Sequence, residues 1–253
     1  MLTVTIMAAG EGKRMNSNIP KVLHNFNGIP MLIRIILEAN KLNPNNIIII
    51  TGKYDLLIKD TLKSYFENNN INLFDKLTFI NQTVPCGTAD AIKYTLESYS
   101  ENEEVLILNG DMPLISSNLL EKFISERSPR LLVAKLENPY GYGRILYDSD
   151  NKFICIREEK DCSEEERLID ITNVGIYYFN SMLLKKYIPM IDCNNVQKEY
   201  YLTYIVKVIR EDSNISIETY INEESMKYQI HGVNTQKELE DLEEKYKNRT
   251  NFK

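Results

Sequence analysis

Apolar runs alternate with amphipathic segments along the first half of the chain. The runs are short and rich in β-branched residues, which is typical of strands, and the four consecutive isoleucines at 47–50 favour a central one. The strands predicted in this half cover residues 2–7, 46–51, 77–81, 105–109 and 131–136. Between them, residues 31–42 and 88–99 carry apolar side chains at helical spacing. This alternation predicts an α/β fold, doubly wound, in which helices cover both faces of a parallel sheet.

The pattern changes after about residue 138. Shorter and more polar strands are predicted at 144–147, 153–157 and 171–179, which indicates a mixed or antiparallel lobe. Helical patterns return at 182–188, 200–211 and 235–246. Because no linker or repeat separates these parts, we expect a single domain over residues 1–253, made of 1–137, a smaller lobe at 138–230 and a C-terminal helical segment at 231–253.

Composition narrows the classes of function. Of the 253 residues, 26% are charged and 43% hydrophobic, and the net charge of −6 argues against non-specific binding of nucleic acid. We see no basic leader before the first apolar run and no apolar stretch of about 18 residues, so we expect a cytoplasmic protein without a membrane or nucleic-acid partner. The four cysteines form no Cys-x-x-Cys pair and there are two histidines, so we expect reduced thiols and no zinc site.

The loop after the first strand is the first candidate site. Residues 8–10 are Ala-Ala-Gly, so backbone N–H groups can approach an anion closely, and Lys13, Arg14 and Lys21 can donate charge-assisted hydrogen bonds to phosphate. Met15 stands where the dinucleotide fingerprint needs its third glycine, and the glycine spacing does not fit a P-loop. The residues alone leave open an ordinary strand-to-helix turn with surface cations.

Two further segments carry candidate chemistry. A hydrophobic strand ends at Gly110 and Asp111, and a carboxylate at that strand end could hold Mg²⁺, although an aspartate in a turn is the alternative. Gln82 follows another strand, and its amide can pair with both a donor and an acceptor of a base. Gly87 and Thr88 then open a helix, where a capped helix after a proline turn is the alternative.

Nine motifs along the chain carry a resemblance to a known family. They are Met-Ala-Ala-Gly-Glu-Gly-Lys-Arg-Met at 7–15, Ile-Pro-Lys-Val-Leu-His at 19–24, Gln82 with Gly-Thr-Ala at 87–89, Gly-Asp at 110–111, Asn-Pro-Tyr-Gly-Tyr-Gly-Arg at 138–144, Glu-Glu-Lys-Asp at 158–161, Asn173 with Gly175, Glu-Tyr-Tyr-Leu-Thr at 199–203 and Gly-Val-Asn at 232–234. Over nearly its whole length, the chain resembles the UDP-N-acetylglucosamine pyrophosphorylases, including the uridylyltransferase domain of the bacterial bifunctional enzyme. Each motif is weak by itself, but nine in the same order are specific.

The resemblance implies a Rossmann-like mixed sheet with a smaller sugar-binding lobe. It also implies synthesis of UDP-N-acetylglucosamine and pyrophosphate from UTP and N-acetylglucosamine 1-phosphate with Mg²⁺ as cofactor. In that family's pattern, residues 1–137 would mainly bind the nucleotide and 138–230 the sugar. The implied substrate-binding residues are Met7, Ala8, Ala9, Gly10, Lys21, Gln82, Gly87, Thr88, Asn109, Gly110, Asp111, Gly143, Glu158, Asn173 and Asn234.

Within that set, the resemblance assigns roles. Gly143, Glu158 and Asn173 would contact the amino sugar, and Asp111 and Asn234 would be the Mg²⁺ ligands. The catalytic residues would be Arg14, Lys21 and Asp111, which align two anions and offset their repulsion during in-line attack on the α-phosphorus of UTP. All of this requires Arg14, Lys21, Asp111 and Asn234 to face one cleft.

Several positions depart from the family's usual residues. The departures are Glu11 for Lys, Lys13 for Thr, Asn109 for Tyr, Val174 for Thr, Lys198 for Gly and Tyr204 for Asp. They leave open another sugar 1-phosphate such as glucose 1-phosphate, another nucleotide such as dTTP, and a non-catalytic nucleotide-sugar-binding subunit. A homo-oligomer is compatible with the residues. We expect no acetyltransferase β-helix domain and no acetyl transfer, because the hexapeptide repeats of such a domain do not follow residue 234.

Overall fold

The computed structural model describes residues 1–250, with side chains through residue 248, and the end of the predicted C-terminal segment at 251–253 lies outside the described residues. The strands are β1 Leu2–Met7, β2 Asn25–Phe26, β3 Ile29–Pro30, β4 Asn46–Thr51, β5 Leu77–Asn81, β6 Glu104–Asn109, β7 Arg130–Lys135, β8 Arg144–Tyr147, β9 Phe153–Arg157, β10 Ile171–Asn180 and β11 Glu218–Ile221. The α-helices are α1 Met31–Asn40, α2 Asp55–Asn68, α3 Thr88–Lys93, α4 Ser117–Phe123, α5 Ser181–Tyr187, α6 Ile205–Asp212 and α7 Gln236–Thr250.

One mixed sheet forms the centre of the described residues. Its strand order is β11-β7-β10-β6-β1-β4-β5, and β8 pairs with both β10 and β9. β6, β1, β4 and β5 run parallel, whereas β10 is antiparallel to both β6 and β7. β2 and β3 make a separate small hairpin. β11 is parallel to β7, and β8 is antiparallel to β10 and β9. The sheet therefore joins a parallel half to a mixed half, within the mixed or antiparallel lobe that the sequence predicted.

Helices cover both faces of this sheet, and the isoleucines of β4 show why. Ile47 and Ile49 face a core that includes α1, α2 and α4, while Ile48 and Ile50 face a core that includes α3, α5 and α6. All four side chains are at most 2% exposed. A strand covered on both faces needs apolar residues at every position, so the unbroken run marks the centre of the sheet.

The predicted strands lie within one residue of those observed, but some helices differ. α3 ends at Lys93, earlier than predicted, and α6 begins at Ile205 after a short 3₁₀ turn. α2, α4, β11 and the two-residue strands β2 and β3 were not predicted from the sequence. β11 is a four-residue edge strand with exposed ends, so its hydrophobic pattern is short. All four cysteines are free thiols. No helix among the described residues has the length and apolar content needed to cross a bilayer.

Candidate active site

The candidate site lies where the neighbouring parallel strands β1 and β6 end. Gly110 donates its N–H to the Met7 carbonyl at 2.9 Å, and Ala8 donates to Ile50 at 2.9 Å, so the chain continues the sheet for one further residue at this edge. A side chain at Gly110 would come within 2.9 Å of the Met7 carbonyl oxygen. The space beside Gly10 is open, because no atom of the described residues lies within 4 Å of where its Cβ would be. This edge presents the small-residue loop to an incoming ligand.

Four charged or polar side chains converge beside this loop. The Lys21 ammonium donates to Asp111 Oδ2 at 2.5 Å and to Asn234 Oδ1 at 2.8 Å, and the Arg14 guanidinium donates to the same Asn234 oxygen at 3.0 Å. This close approach requires glycine at position 12, because a Cβ there would lie 2.5 Å from Lys21 Cβ. The structure brings these residues into one cleft, although Arg14 and Asn234 are 220 positions apart.

The oxygen donors of this cleft fit a magnesium ion. Asp111 Oδ1 is buried and has no hydrogen-bond partner among the described residues, and Asp111 Oδ2 and Asn234 Oδ1 meet at the Lys21 ammonium. Gly232 leaves room beside the carboxylate, because a Cβ there would lie 3.5 Å from Asp111 Oδ1. Mg²⁺ prefers oxygen ligands and commonly takes only one or two from the protein. No cluster of three or more His, Cys, Asp or Glu suited to a metal occurs in the described part of the chain.

A second group of predicted residues lies at the end of β5. Gln82 is 4% exposed, and its Nε2 donates to Asp90 Oδ2 at 2.7 Å and to the Gly87 carbonyl at 3.3 Å. Gly87 has φ +118°, and a Cβ there would lie 2.5 Å from the Tyr200 carbonyl oxygen. The Tyr200 backbone therefore occupies the space that a side chain at position 87 would need. Thr88 remains exposed at the start of α3.

The segment 199–203 connects this second group to Glu158. Three hydrogen bonds join it to the loop before α3 and to the first turn of α3. They run from Tyr200 N to Cys86 O at 2.8 Å, from Ala89 N to Tyr200 O at 2.8 Å and from Leu202 N to Thr88 Oγ1 at 2.9 Å. At its other end, Thr203 Oγ1 donates to Glu158 Oε1 at 2.8 Å. This segment carries part of the resemblance to the family, and no residue of it was among the predicted site residues.

The third group surrounds Glu158 and Asn173. Burial raises the pKa of Glu158, and the nearby carboxylates of Asp161 and Glu199 act in the same direction against the Thr203 hydrogen bond. Asn173 donates its backbone N–H to Gly143 O at 2.8 Å and its side-chain Nδ2 to the Tyr177 hydroxyl at 2.7 Å. Gly143 and Asn173 are therefore in direct contact.

Asn109 lies between the first group, at Asp111, and the third group, at Asn173. β10 has an irregular register between Asn173 and Tyr177, where Gly175 adopts φ +82°. A side chain at Gly175 would overlap the Asn109 amide, and Asn109 Nδ2 donates to the Val174 carbonyl at 3.5 Å. The bulge lets β10 approach the end of β6 closely. The three groups of predicted residues are thus connected along one edge of the sheet.

Comparison with known proteins places the chain among nucleotidyltransferases. Residues 4–155 match the MobA-like NTP transferase domain. The chain is 39% identical over 248 residues to a probable UDP-N-acetylglucosamine pyrophosphorylase of Acanthamoeba polyphaga mimivirus, covering 96% of this chain and 95% of that relative. It is also 39% identical over 246 residues to the bifunctional protein GlmU of Francisella tularensis subsp. novicida (strain U112), covering 96% of this chain and 51% of GlmU. The chain spans about half the length of GlmU.

Solved structures share the architecture. A UDP-glucose pyrophosphorylase complexed with UDP-glucose superposes with a TM-score of 0.74 at 13% identity, covering 98% of this chain and 99% of that structure. A putative glucose-1-phosphate thymidylyltransferase from Bacillus anthracis gives a TM-score of 0.71 at 16% identity, covering 96% of this chain and 94% of that structure. At such identities the likeness establishes the fold alone, and it confirms the predicted mixed α/β sheet.

Proposed function

This chain belongs to the MobA-like NTP transferase family as a homologue of UDP-N-acetylglucosamine pyrophosphorylases, and from that membership we propose its specific reaction. As a sugar-1-phosphate nucleotidyltransferase, it would convert UTP and N-acetylglucosamine 1-phosphate into UDP-N-acetylglucosamine and pyrophosphate. The observation that carries the proposal is the meeting of Arg14, Lys21, Asp111 and Asn234 beside the open loop at Gly10. Two cations and two oxygen donors at one strand edge suit a triphosphate with its metal.

In this proposal the loop at 8–10 receives the nucleotide phosphates through backbone N–H groups, and Arg14 and Lys21 supply positive charge to them. Asp111 and Asn234 would hold Mg²⁺, which when bound neutralises phosphate charge and polarises the phosphoryl group. The Lys21 ammonium already contacts both of these residues, so its charge acts on the same space.

The proposed chemistry asks little of acids and bases. A phosphate oxygen of the sugar phosphate is anionic near neutral pH and attacks the α-phosphorus, while the bond from that phosphorus to the bridging oxygen breaks and pyrophosphate leaves with the electron pair. The protein must therefore align two anions and offset their repulsion. Removing one preorganised electrostatic partner costs about 3 kcal/mol of transition-state stabilisation, or roughly a hundredfold in rate.

The sugar side of the proposal rests on the contact of Gly143 with Asn173 and on the carboxylate of Glu158. A carboxylate and an amide beside an irregular strand can bind the hydroxyl and N-acetyl groups of an amino sugar. Asn109 offers an amide at the junction of the two halves, and its Nδ2 lies 3.5 Å from the Val174 carbonyl. The single domain, the cytoplasmic location and the absence of nucleic-acid and membrane partners belong to the same proposal.

Pyrophosphate release with a panel of nucleotides and sugar 1-phosphates in Mg²⁺ tests the assignment. We expect the highest kcat/KM for UTP with N-acetylglucosamine 1-phosphate. A clear preference for glucose 1-phosphate or dTTP would replace the proposed substrates. Absence of release with every pair, together with UTP binding in calorimetry, would identify a non-catalytic binding subunit.

The variant Asp111→Asn tests the role of the carboxylate. It removes a negative charge that Lys21 contacts at 2.5 Å, and we expect turnover to fall at least about a hundredfold while the circular dichroism spectrum is unchanged. Asp212→Asn is a matched control, because Asp212 also pairs with a lysine, Lys186, at 2.6 Å but lies on α6. Near-normal activity in Asp111→Asn, or an equal loss in both variants, would remove Asp111 from the mechanism.

A further inference from the structure

Arg144 is buried where the β8–β9 hairpin meets β10 of the main sheet. It is 1% exposed, and it begins β8, which pairs with β10 at a single register position, Thr172 opposite Arg144. A hairpin attached by one bridge has little backbone pairing to fix its position. Side-chain contacts of Arg144 must therefore contribute to holding the hairpin against the sheet.

Those contacts reach both loops beside the hairpin. The Arg144 guanidinium donates to the carbonyl oxygen of Tyr142 and, at 3.5 Å, to that of Arg167, and it pairs with Glu159 Oε2 at 2.8 Å. Arg144 Nε is buried without a partner among the described residues, so the guanidinium is held by its two terminal nitrogens. The fixed fork of arginine suits this role, since one planar group meets three acceptors.

Glu159 completes the connection. Its Oε2 also accepts the Gly141 backbone N–H at 3.0 Å, so one carboxylate holds the preceding loop and the guanidinium together. Burial alone would raise the pKa of Glu159, but the Gly141 N–H and the Arg144 guanidinium outweigh it and hold that pKa below its ordinary value. The carboxylate is therefore ionised at neutral pH, and the pair is a true ion pair.

The positions of this pair in the chain matter for the proposed sugar pocket. Arg144 directly follows Gly143, and Glu159 directly follows Glu158. Gly143 and Glu158 lie on different loops, and each was assigned to the sugar. The Arg144–Glu159 contact therefore joins the two loops one residue away from each of the two proposed sugar-binding residues.

The β8–β9 ladder ends with Arg144 opposite Arg157, so backbone pairing stops just before the Gly143 and Glu158 loops. We propose that the Arg144–Glu159 pair is a positioning element that fixes the orientation of these two loops beyond the ladder and thereby sets the affinity for the sugar phosphate. The inference rests on the proposed function, because it takes these loops as the sugar pocket. In this proposal both side chains act on the substrate through the loops that they hold. A displacement of about 1 Å in such a loop can cost up to roughly a hundredfold in rate.

The chain offers a matched control for burial and charge. Arg130 is 3% exposed, its Nε likewise has no partner among the described residues, and it pairs with Glu126 at 2.6 Å and Glu218 at 2.7 Å. It begins β7 and ties this strand to β11, at the end of β7 away from the candidate site. Arg130→Lys therefore reports the effect of altering a buried, paired arginine away from the site, and Glu218→Gln the effect of losing one of its two carboxylate partners.

Steady-state kinetics of Glu159→Gln and Arg144→Lys test the proposal, with Glu218→Gln and Arg130→Lys as controls. We expect the KM for the sugar phosphate to rise about tenfold or more in the two test variants, while the KM for UTP stays within about twofold. The controls should change neither KM. In the double variant with Glu159→Gln and Arg144→Lys, the KM for the sugar phosphate should rise little beyond that of either single variant, because the first substitution has already broken the contact. Equal increases in both KM values, or the same change in the controls, would overturn the proposal.

Hydrogen exchange provides a readout that does not depend on the substrate. We expect faster exchange at 139–143 and 158–162 in Glu159→Gln, and unchanged exchange at 82–90, because a neutral amide in place of the carboxylate loses the ion pair with Arg144 and accepts the Gly141 N–H more weakly. Unchanged protection at 139–143 would refute the positioning role. If the wild type prefers another sugar phosphate, the proposed function fails, and the same kinetic comparison is made with that sugar to judge the positioning role separately.

Discussion

Two carboxylates of the candidate site, Asp111 and Glu158, lie in surroundings that lower the free energy of unfolding. Asp111 has one oxygen paired with an ammonium and one buried oxygen without a hydrogen-bond partner among the described residues. Glu158 is a carboxylate whose burial raises its pKa. A buried acceptor without a partner costs about 1–3 kcal/mol, so such an arrangement persists where a ligand supplies the missing contact.

Glu158 gives a prediction about pH and stability. Because its folded pKa is raised, the native state binds the proton more tightly than the unfolded chain, so this group lowers stability as pH rises through the folded pKa. Glu158→Gln removes the titration and keeps an oxygen that accepts from Thr203. We expect the variant to melt higher than the wild type at pH 8, on the order of 2 °C, and its KM for the sugar phosphate to rise.

The thermal midpoints of both proteins between pH 4 and pH 8 check this prediction. The difference should vanish below the ordinary pKa of glutamate, about 4.3, where the carboxyl is protonated in both states. A difference that is constant across this range, or a variant that melts lower at pH 8, would contradict the expected effect of burial.

At the scale of elements, the parts of the fold that were predictable are those with strong local patterns. β4 and β6 are continuous apolar runs, and they were found close to their predicted bounds. α2 was missed because its buried residues are few, Ile58, Leu62 and Phe66, within a mostly polar segment. α6 begins later than its helical pattern indicates, because the backbone at 200–202 bonds to Cys86 and to the first turn of α3.

In the candidate site, too, local features were predictable and long-range contacts were not. The phosphate loop could be recognised from small residues and nearby cations, since those chemical properties are local. The meeting of Lys21 with Asn234 spans 213 positions, and only the resemblance to a family indicated it. The connection from Leu202 to Thr88 spans 114 positions and uses a backbone donor, so no residue type marks it in the sequence. The bond of Glu159 to Gly141 is hidden in the same way, within a charge run that reads as solvated.

The start of α7 gives a prediction at this scale. Glu238 Oε2 accepts the Asn234 backbone N–H at 2.7 Å, and Thr235 Oγ1 accepts the Glu238 N–H at 3.2 Å. This reciprocal cap fixes the backbone of a proposed Mg²⁺ ligand. We expect Glu238→Ala to raise the Mg²⁺ concentration for half-maximal velocity about fivefold, since a lost cap costs about 1 kcal/mol.

Mg²⁺ titrations at saturating UTP measure this effect. Glu238→Gln keeps an acceptor and should remain near the wild type. Glu240→Ala is the control, because Glu240 is exposed on α7 and bonds only to Gln236 among the hydrogen bonds of the described residues. An unchanged Mg²⁺ requirement in Glu238→Ala, or an equal change in Glu240→Ala, would show that the cap does not position Asn234.

At the scale of the whole molecule, the candidate site joins parts of the chain that are distant in sequence. The segment before α7 returns to the end of β6, where Val233 donates its N–H to the Asp111 carbonyl at 2.9 Å. Arg14 and Lys21 approach from the loop after β1 and meet Asn234 there. Because these contacts exist only in the folded chain, a ligand that binds them binds the native state and not the unfolded one.

This linkage predicts a thermal shift that depends on the nucleotide and the metal together. A ligand at about 100 times its Kd adds about 2.7 kcal/mol to the free energy of unfolding, which raises the Tm of a chain of this size by about 5–10 °C. We expect UTP with Mg²⁺ to give such a shift, and Mg²⁺ alone to give little, since Asp111 and Asn234 are its only proposed protein ligands. Asp111→Asn should reduce the shift because it weakens the metal contact. An equal shift in wild type and variant, measured by differential scanning fluorimetry at the same ligand concentrations, would mean that the nucleotide binds elsewhere.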